Sequence, residues 1–436
     1  MGAENAGEPV VIDLGLGRGE PETYERPGRH TTSPWFAPSL LAVLVLLLAG
    51  ASAPMRHPAV LTALLRVPIE PGDPYAITEG GRLLAQTGSN LNSYHLQTGE
   101  LRWSVRQEMR VARLRTASGL LLLRPWGRFA VGTTAVSLAT GGLQWRNEHN
   151  VLGFSGSSLL FAVDDVRTSS GPGRRVENAV QVVDPTVGDV RWQVDLKSTA
   201  VLLGVPGPAD DPSRMLLVRD DRVADMYDVE SGRLLASRAL PAADYDPDNP
   251  IVAGGVLLLR HPGPSGTAVS AYGLADLRPI WTRPAHGTSR LLPCGLLACF
   301  AGQYGVRGID PATGDVRWHR GDWRTVETQG TALVGYAGNR PVALADPVTG
   351  RTGVDLAGWD LVPGTAGNGE LLVTRETSDG ARTMVAVASP GAGRPRLLAE
   401  LPEGTGSCQS APERLVCRAS HGELVVWAYR TPTEAG

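Results

Sequence analysis

Asp184-Pro185-Thr186-Val187-Gly188-Asp189-Val190-Arg191-Trp192 decides the fold, because it returns nearly unchanged as Asp310-Pro311-Ala312-Thr313-Gly314-Asp315-Val316-Arg317-Trp318. A third copy, Tyr94-His95-Leu96-Gln97-Thr98-Gly99-Glu100-Leu101-Arg102-Trp103, has lost Asp-Pro and keeps the Thr-Gly turn and the tryptophan. Fainter copies end at Gly141 with Trp145 and run through Asp346-Pro347-Val348-Thr349-Gly350. The turn glycines fall at Gly99, Gly141, Gly188, Gly232, Gly314, Gly350 and Gly393, with Asp276 in the glycine's place in one copy. A spacing of about forty residues marks an array of supersecondary units.

The chemistry of the motif is that of a turn. Proline presets one backbone angle, glycine supplies a positive φ, and Asp or Thr bonds the turn backbone. The tryptophans Trp103, Trp145, Trp192, Trp281 and Trp318 follow in the next strand, where a large ring packs between neighbouring sheets. Upstream of each turn lie further short apolar runs, such as Met215 to Val218 with Val223 to Tyr227. Four strands in forty residues is the stride of a β-propeller blade. The 53 glycines and 33 prolines suit a chain that turns constantly, and no long amphipathic helix separates the strands, which disfavours an α/β fold. The expectation is an all-β propeller of about eight four-stranded blades, with nine as the literal count. The C-terminal segment supplies three strands of its last blade, and Leu61 to Ile69 is expected to add the outer fourth and close the ring.

The Asp-Pro-x-Thr-Gly-x-x-x-Trp repeat resembles that of the pyrroloquinoline-quinone-like (quinoprotein-like) β-propeller family, over about residues 60 to 430. That family includes quinone-dependent alcohol dehydrogenases and non-enzymatic scaffolds of outer-membrane barrel assembly. The resemblance implies the fold. The dehydrogenases are marked by a pair of adjacent cysteines at the cofactor, and this chain has no Cys-Cys dipeptide. A non-catalytic binding or scaffolding role is therefore expected, with a quinone-dependent dehydrogenase as the alternative, and no cofactor is called for.

Ahead of the repeats, Trp35 to Met55 is a 21-residue stretch without a charge, long enough to cross a hydrocarbon core of ~30 Å as a helix. Residues 1–34 carry six acids and three arginines and read as a disordered cytoplasmic tail. Within that tail, Val10 to Gly17 is an apolar, β-favouring island that suits strand addition to a cytoplasmic partner. The expected organisation is tail 1–34, membrane helix 35–55, propeller 56–430 and a short tail 431–436. Cleavage after Ala53, giving a secreted ligand-binding propeller, is the rival.

The four cysteines form two close pairs, Cys294 with Cys299 and Cys408 with Cys417, which suits disulfides in an oxidising compartment. The expected location is the cell membrane, with the propeller extracytoplasmic and bound to a protein or cell-envelope partner. The tail's excess of three acids matches the net charge of −3 for the whole chain. The ring is thus neutral overall, which speaks against nucleic acid. The eight histidines show no metal-ligand spacing. Gly364 to Gly369 precedes no helix that would cradle a phosphate. The acidic stretches at Asp210-Asp211, Asp220-Asp221 and Asp244 to Asp248 match no calcium loop. No metal is expected.

Overall fold

The computed structural model describes residues 61–429 apart from 109, 127–130, 154–158, 166–172, 206–213, 365–368 and 378–379. The tail 1–34, the segment 35–55, the island Val10 to Gly17, the residues 431–436 and the Asp210-Asp211 pair lie outside them. Everything described is strand, turn or loop.

Among the described residues, eight hydrogen-bonded sheets hold nine four-stranded antiparallel units. The first runs Tyr75–Ile77, Arg82–Thr87, Asn90–His95 and Leu101–Arg106, from the innermost strand outward. Eight sheets accommodate nine units because units 3 and 4 are fused. The third strand of unit 3, Arg174–Val183, is ten residues long, and its first three pair with Ala200 to Leu202 of unit 4. Its last five pair within its own unit, against the outer strand Val190–Asp195. Between the two stretches sits Asn178 at φ 60, a left-handed position that asparagine tolerates.

The ring closes as the missing strand requires. Leu61–Pro68 pairs antiparallel with Glu423–Tyr429, completing unit 9 with Gly406–Ala411 and Arg414–Ala419. Removing that strand would expose a row of unpaired backbone groups on unit 9.

Middle strands are buried on both faces by the neighbouring units, so they read as continuous apolar runs. Leu120 to Leu123 and Val256 to Leu259 are buried at every position. Outer strands alternate instead, as in Leu143–Asn147, where only Trp145 is buried. The buried side chains fall into nine clusters, each spanning two successive units: Trp103 with Leu121 joins units 1 and 2, and Val67 with Leu83 joins units 9 and 1. Stability of this kind is a chain of nearest-neighbour interfaces.

Candidate functional site

The turn residues do what their chemistry suggested. Asp184 accepts the backbone N–H and hydroxyl of Thr186 at 2.8 and 2.5 Å and takes Arg191 Nη2 at 2.6 Å. Asp310 holds the Ala312 N–H at 2.9 Å and Arg317 Nη2 at 2.5 Å, and Asp346 holds Thr349 twice at 2.7 Å. These bonds keep the carboxyls well below the usual range, through Thr186 and then Arg191 at Asp184, Arg317 at Asp310 and Thr349 at Asp346.

Each repeat tryptophan is engaged by the next unit. The indole N–H of Trp103 donates to Leu138 O at 3.0 Å, Trp145 to Pro185 O at 2.9 Å, and Trp192 to Val229 O at 2.8 Å. Trp281 donates to Pro311 O at 2.8 Å and Trp318 to Pro347 O at 3.0 Å. The next unit's turn glycine lies flat on the ring: a Cβ on Gly188 would sit 2.5 Å from Trp145, and one on Gly350 would sit 2.6 Å from Trp318. The glycine therefore serves twice, for its positive φ and for the space it leaves. Gly141, Gly232 and Gly314 meet Trp103, Trp192 and Trp281 in the same way. Gly99 meets Leu65 of the closing strand, 3.4 Å from the would-be Cβ.

One reading needs correction. The turn bond from Gly188 N to Asp184 O is matched in unit 5 by Leu277 N to Gly273 O, so the glycine's counterpart is Leu277 and not Asp276. Leu277 has φ 55 and is fully buried. The cause lies in unit 4, where the register puts Ala236 in the tryptophan's place. A leucine on the far side fills the space, within the cluster on which Ala236 packs. The turn carbonyl, deprived of an indole, takes Arg214 Nη1 at 3.2 Å on Leu274 O. The closing interface has the same substitute, Arg414 Nε to Leu96 O at 3.2 Å. Sequence reasoning had no signal for either arginine.

The cysteines come together as paired: Cys294 with Cys299 around the first turn of unit 6, Cys408 with Cys417 across the first two strands of unit 9, with Cα separations of 5.8 and 4.0 Å. Among the described residues the histidines join no metal-holding group. His149 Nδ1 lies 2.7 Å from Asp164, and His261 Nε2 lies 2.8 Å from Ser270 Oγ, itself 2.8 Å from Thr282. Ser270 is 4% exposed, which leaves no approach for a substrate carbonyl. Asp220, Asp221 and Asp248 are paired with Arg175, Arg219 and Arg290. No described group of three or more His, Cys, Asp or Glu is placed to hold a metal.

A hollow of about 880 Å³ lies at the closing seam, where turns of units 1, 8 and 9 meet. The inner strand of unit 8, Asp360–Leu361, leads into its lining at Pro363 and Gly364. Glu79, His95 and Gln97 line one side, with Pro363, Gln409 and Ser410 opposite. Gly364, from the glycine-rich stretch, bridges to Ser410 at its floor. The volume is that of a small-ligand or peptide site, and its walls are amide, hydroxyl and small apolar groups.

Residues 176–343 match the family model described as outer membrane protein assembly factor BamB. No curated protein sequence matches the chain. Among solved structures, BamB from Moraxella catarrhalis is 14% identical with a TM-score of 0.42, covering 86% of this chain and 100% of its own. The quinohemoprotein alcohol dehydrogenase ADHIIG from Pseudomonas putida HK5 is 10% identical at 0.38, covering 67% and 74%. A europium-containing methanol dehydrogenase is 11% identical at 0.35, covering 58% and 69%. The recurring turn-and-tryptophan unit makes this chain an all-β propeller, whose residues 176–343 match that pyrroloquinoline-quinone-like repeat family.

Proposed function

We propose that the protein is a non-catalytic binding or scaffolding module of the cell envelope, anchored by residues 35–55 with its ring outside the cytoplasm. The observation that carries this reading is the engagement of the repeat's functional-looking residues: its tryptophans, glycines and aspartates are committed to turns and to contacts between units. What remains available is the set of turns at the two ends of the ring, where loops on a rigid scaffold carry interaction surfaces. The hollow at the closing seam, lined by amide, hydroxyl and apolar groups together with Glu79 and His95, is the partner site we favour, and a protein segment is the occupant we favour. Two cysteine pairs at disulfide distance support an oxidising compartment.

A quinone-dependent dehydrogenase of the same fold is the competing reading. The residues present do not fit that cofactor. The repeat tryptophans that would stack on a quinone are closed into unit interfaces, and the cysteines sit as two pairs within units 6 and 9. No reaction step is derived through it.

The test is capture of partners from cells by the full-length protein, crosslinked in place, against a Glu79→Arg, Gln409→Arg variant that fills the hollow with charge. Loss of a specific envelope protein from the variant supports the proposal. Identical captured sets, or dye-linked alcohol oxidation by wild type reconstituted with quinone and calcium, would overturn it.

A further inference from the structure

The face of unit 2 toward unit 3 is apolar for most of its height, with Leu120, Leu122 and Trp145 packed on Val151 and Leu160. At the end of that face away from the Gly141 turn, its chemistry reverses. Arg113 stands directly opposite Arg124, and Arg115 follows two residues along on the same side. The three arginines line one cleft together with Thr133 and, from the inner strand of unit 3, Asn150.

Like charges directly opposite in an antiparallel pair destabilise it. The described ion pairs of these two units join Arg146 to Glu108, His149 to Asp164, Arg175 to Asp220 and Asp246, and Arg191 to Asp184. None takes in Arg113 or Arg124. Asp164, beside the Asn150 partner Val163, is held by His149 and Asn178.

A second, independent observation points the same way. Asn150 is 7% exposed, and its Oδ1 is buried without a hydrogen-bond partner. Such a group costs free energy comparable to a lost hydrogen bond. A half-turn of the amide puts an NH₂ donor in the place of that oxygen, on a residue that lines the cleft. Thr133 cannot serve in its place, because its hydroxyl already bonds His149 O at 3.0 Å and Val151 N at 2.8 Å. The cleft is narrow, with about 10 Å³ open to the centre of a water-sized group. That is room for about one water-sized atom, so a phosphate would stand at the mouth with a single oxygen entering.

We propose that this cleft binds a phosphate group at its mouth, held by the guanidinium forks of Arg113 and Arg124 and by the Asn150 amide, with the charge of Arg115 beside them. A phosphate has enough oxygens for several forks at once, and guanidinium geometry matches it bidentately. The group is either free phosphate or the phosphate of a lipid or envelope-polymer headgroup. The inference stands apart from the hollow at the seam and from the anchoring of the chain.

The experiment uses full-length protein at constant ionic strength, with binding followed by equilibrium dialysis and by thermal unfolding. The probes are inorganic phosphate and dihexanoyl-phosphatidylglycerol below its micelle concentration. Saturable binding of either probe, with a rise in Tm, is expected. Binding of phosphate assigns the free ion, and binding of the lipid alone assigns a headgroup. The Arg113→Gln, Arg124→Gln variant is expected to bind at least about tenfold more weakly, the loss of two charge-assisted contacts. Without ligand it should melt no lower than wild type, because a like-charge pair has been removed. Asn150→Ala should also weaken binding. Failure of both probes to bind, or equal binding by wild type and the double variant, overturns the proposal.

Discussion

The exchange at the interface of units 4 and 5 makes a quantitative prediction. At five other interfaces an outer-strand tryptophan lies on the next unit's turn glycine. Here Ala236 faces a turn whose left-handed position holds the buried Leu277. Leu277→Gly removes a fully buried side chain, a loss of about 2–5 kcal/mol for truncations of this kind. It also relieves about 1–2 kcal/mol of left-handed backbone strain, so the net destabilisation is about 0–4 kcal/mol. Ala236→Trp alone drives a ring into space Leu277 occupies and costs about 1–3 kcal/mol by overpacking. Together the two changes rebuild the arrangement of Trp192 on Gly232. The new indole can share Leu274 O with Arg214, as Trp103 and Arg82 share Leu138 O. The double variant should therefore be more stable than the sum of the singles by about 2 kcal/mol, well above the few tenths seen for independent sites. Equilibrium unfolding in urea of the four proteins measures this coupling. Additivity within about 0.5 kcal/mol would show that Ala236 and Leu277 do not compensate one another and would refute the alignment on Leu277.

Three further outcomes follow from the same contacts. Trp192→Phe leaves the Val229 carbonyl without its 2.8 Å donor and should cost about 1–2 kcal/mol in urea unfolding. Leu65→Asp puts a charge on the strand that closes the ring against Gly99. It should lower stability by at least about 2 kcal/mol and speed proteolysis of residues 406–429 before the other units. The carboxyls of Asp184, Asp228, Asp310 and Asp346 are all held below their ordinary range. Their stabilisation is thus complete above the unfolded value of about 3.9 and lost as pH falls through the folded values. Melting temperature should decline below about pH 4, and the gap between wild type and Asp310→Asn should close over that range.

Much of the ring was legible because a strict period leaves few alternatives. The turn motif placed the outer turn of eight units, and a C-terminal segment one strand short pointed to Leu61–Pro68. The literal count of nine holds for the four-stranded units, while the fused pair makes eight the number of sheets. Asp276 was misaligned because the true counterpart, Leu277, looks nothing like a glycine. The available clue was distant: the missing tryptophan at Ala236, whose volume Leu277 supplies. Arg214 and Arg414 gave no signal, since an arginine opening a strand looks like an ordinary surface residue. The hollow at the seam was illegible for another reason. Glu79 is hundreds of residues from Pro363 and Gln409 and meets them only when the ring closes. Nor does any spacing rule place Arg113 opposite Arg124, which depends on the register of one hairpin.

The central claim is that the ring faces outward from the membrane and holds a protein of the envelope. Proximity labelling in living cells, from a peroxidase fused after Gly436 of the full-length chain, tests it most directly. The account predicts labelling of extracytoplasmic envelope proteins, with one enriched species lost in the Glu79→Arg, Gln409→Arg variant. Labelling confined to cytoplasmic proteins, or a labelled set the variant leaves unchanged, would contradict it.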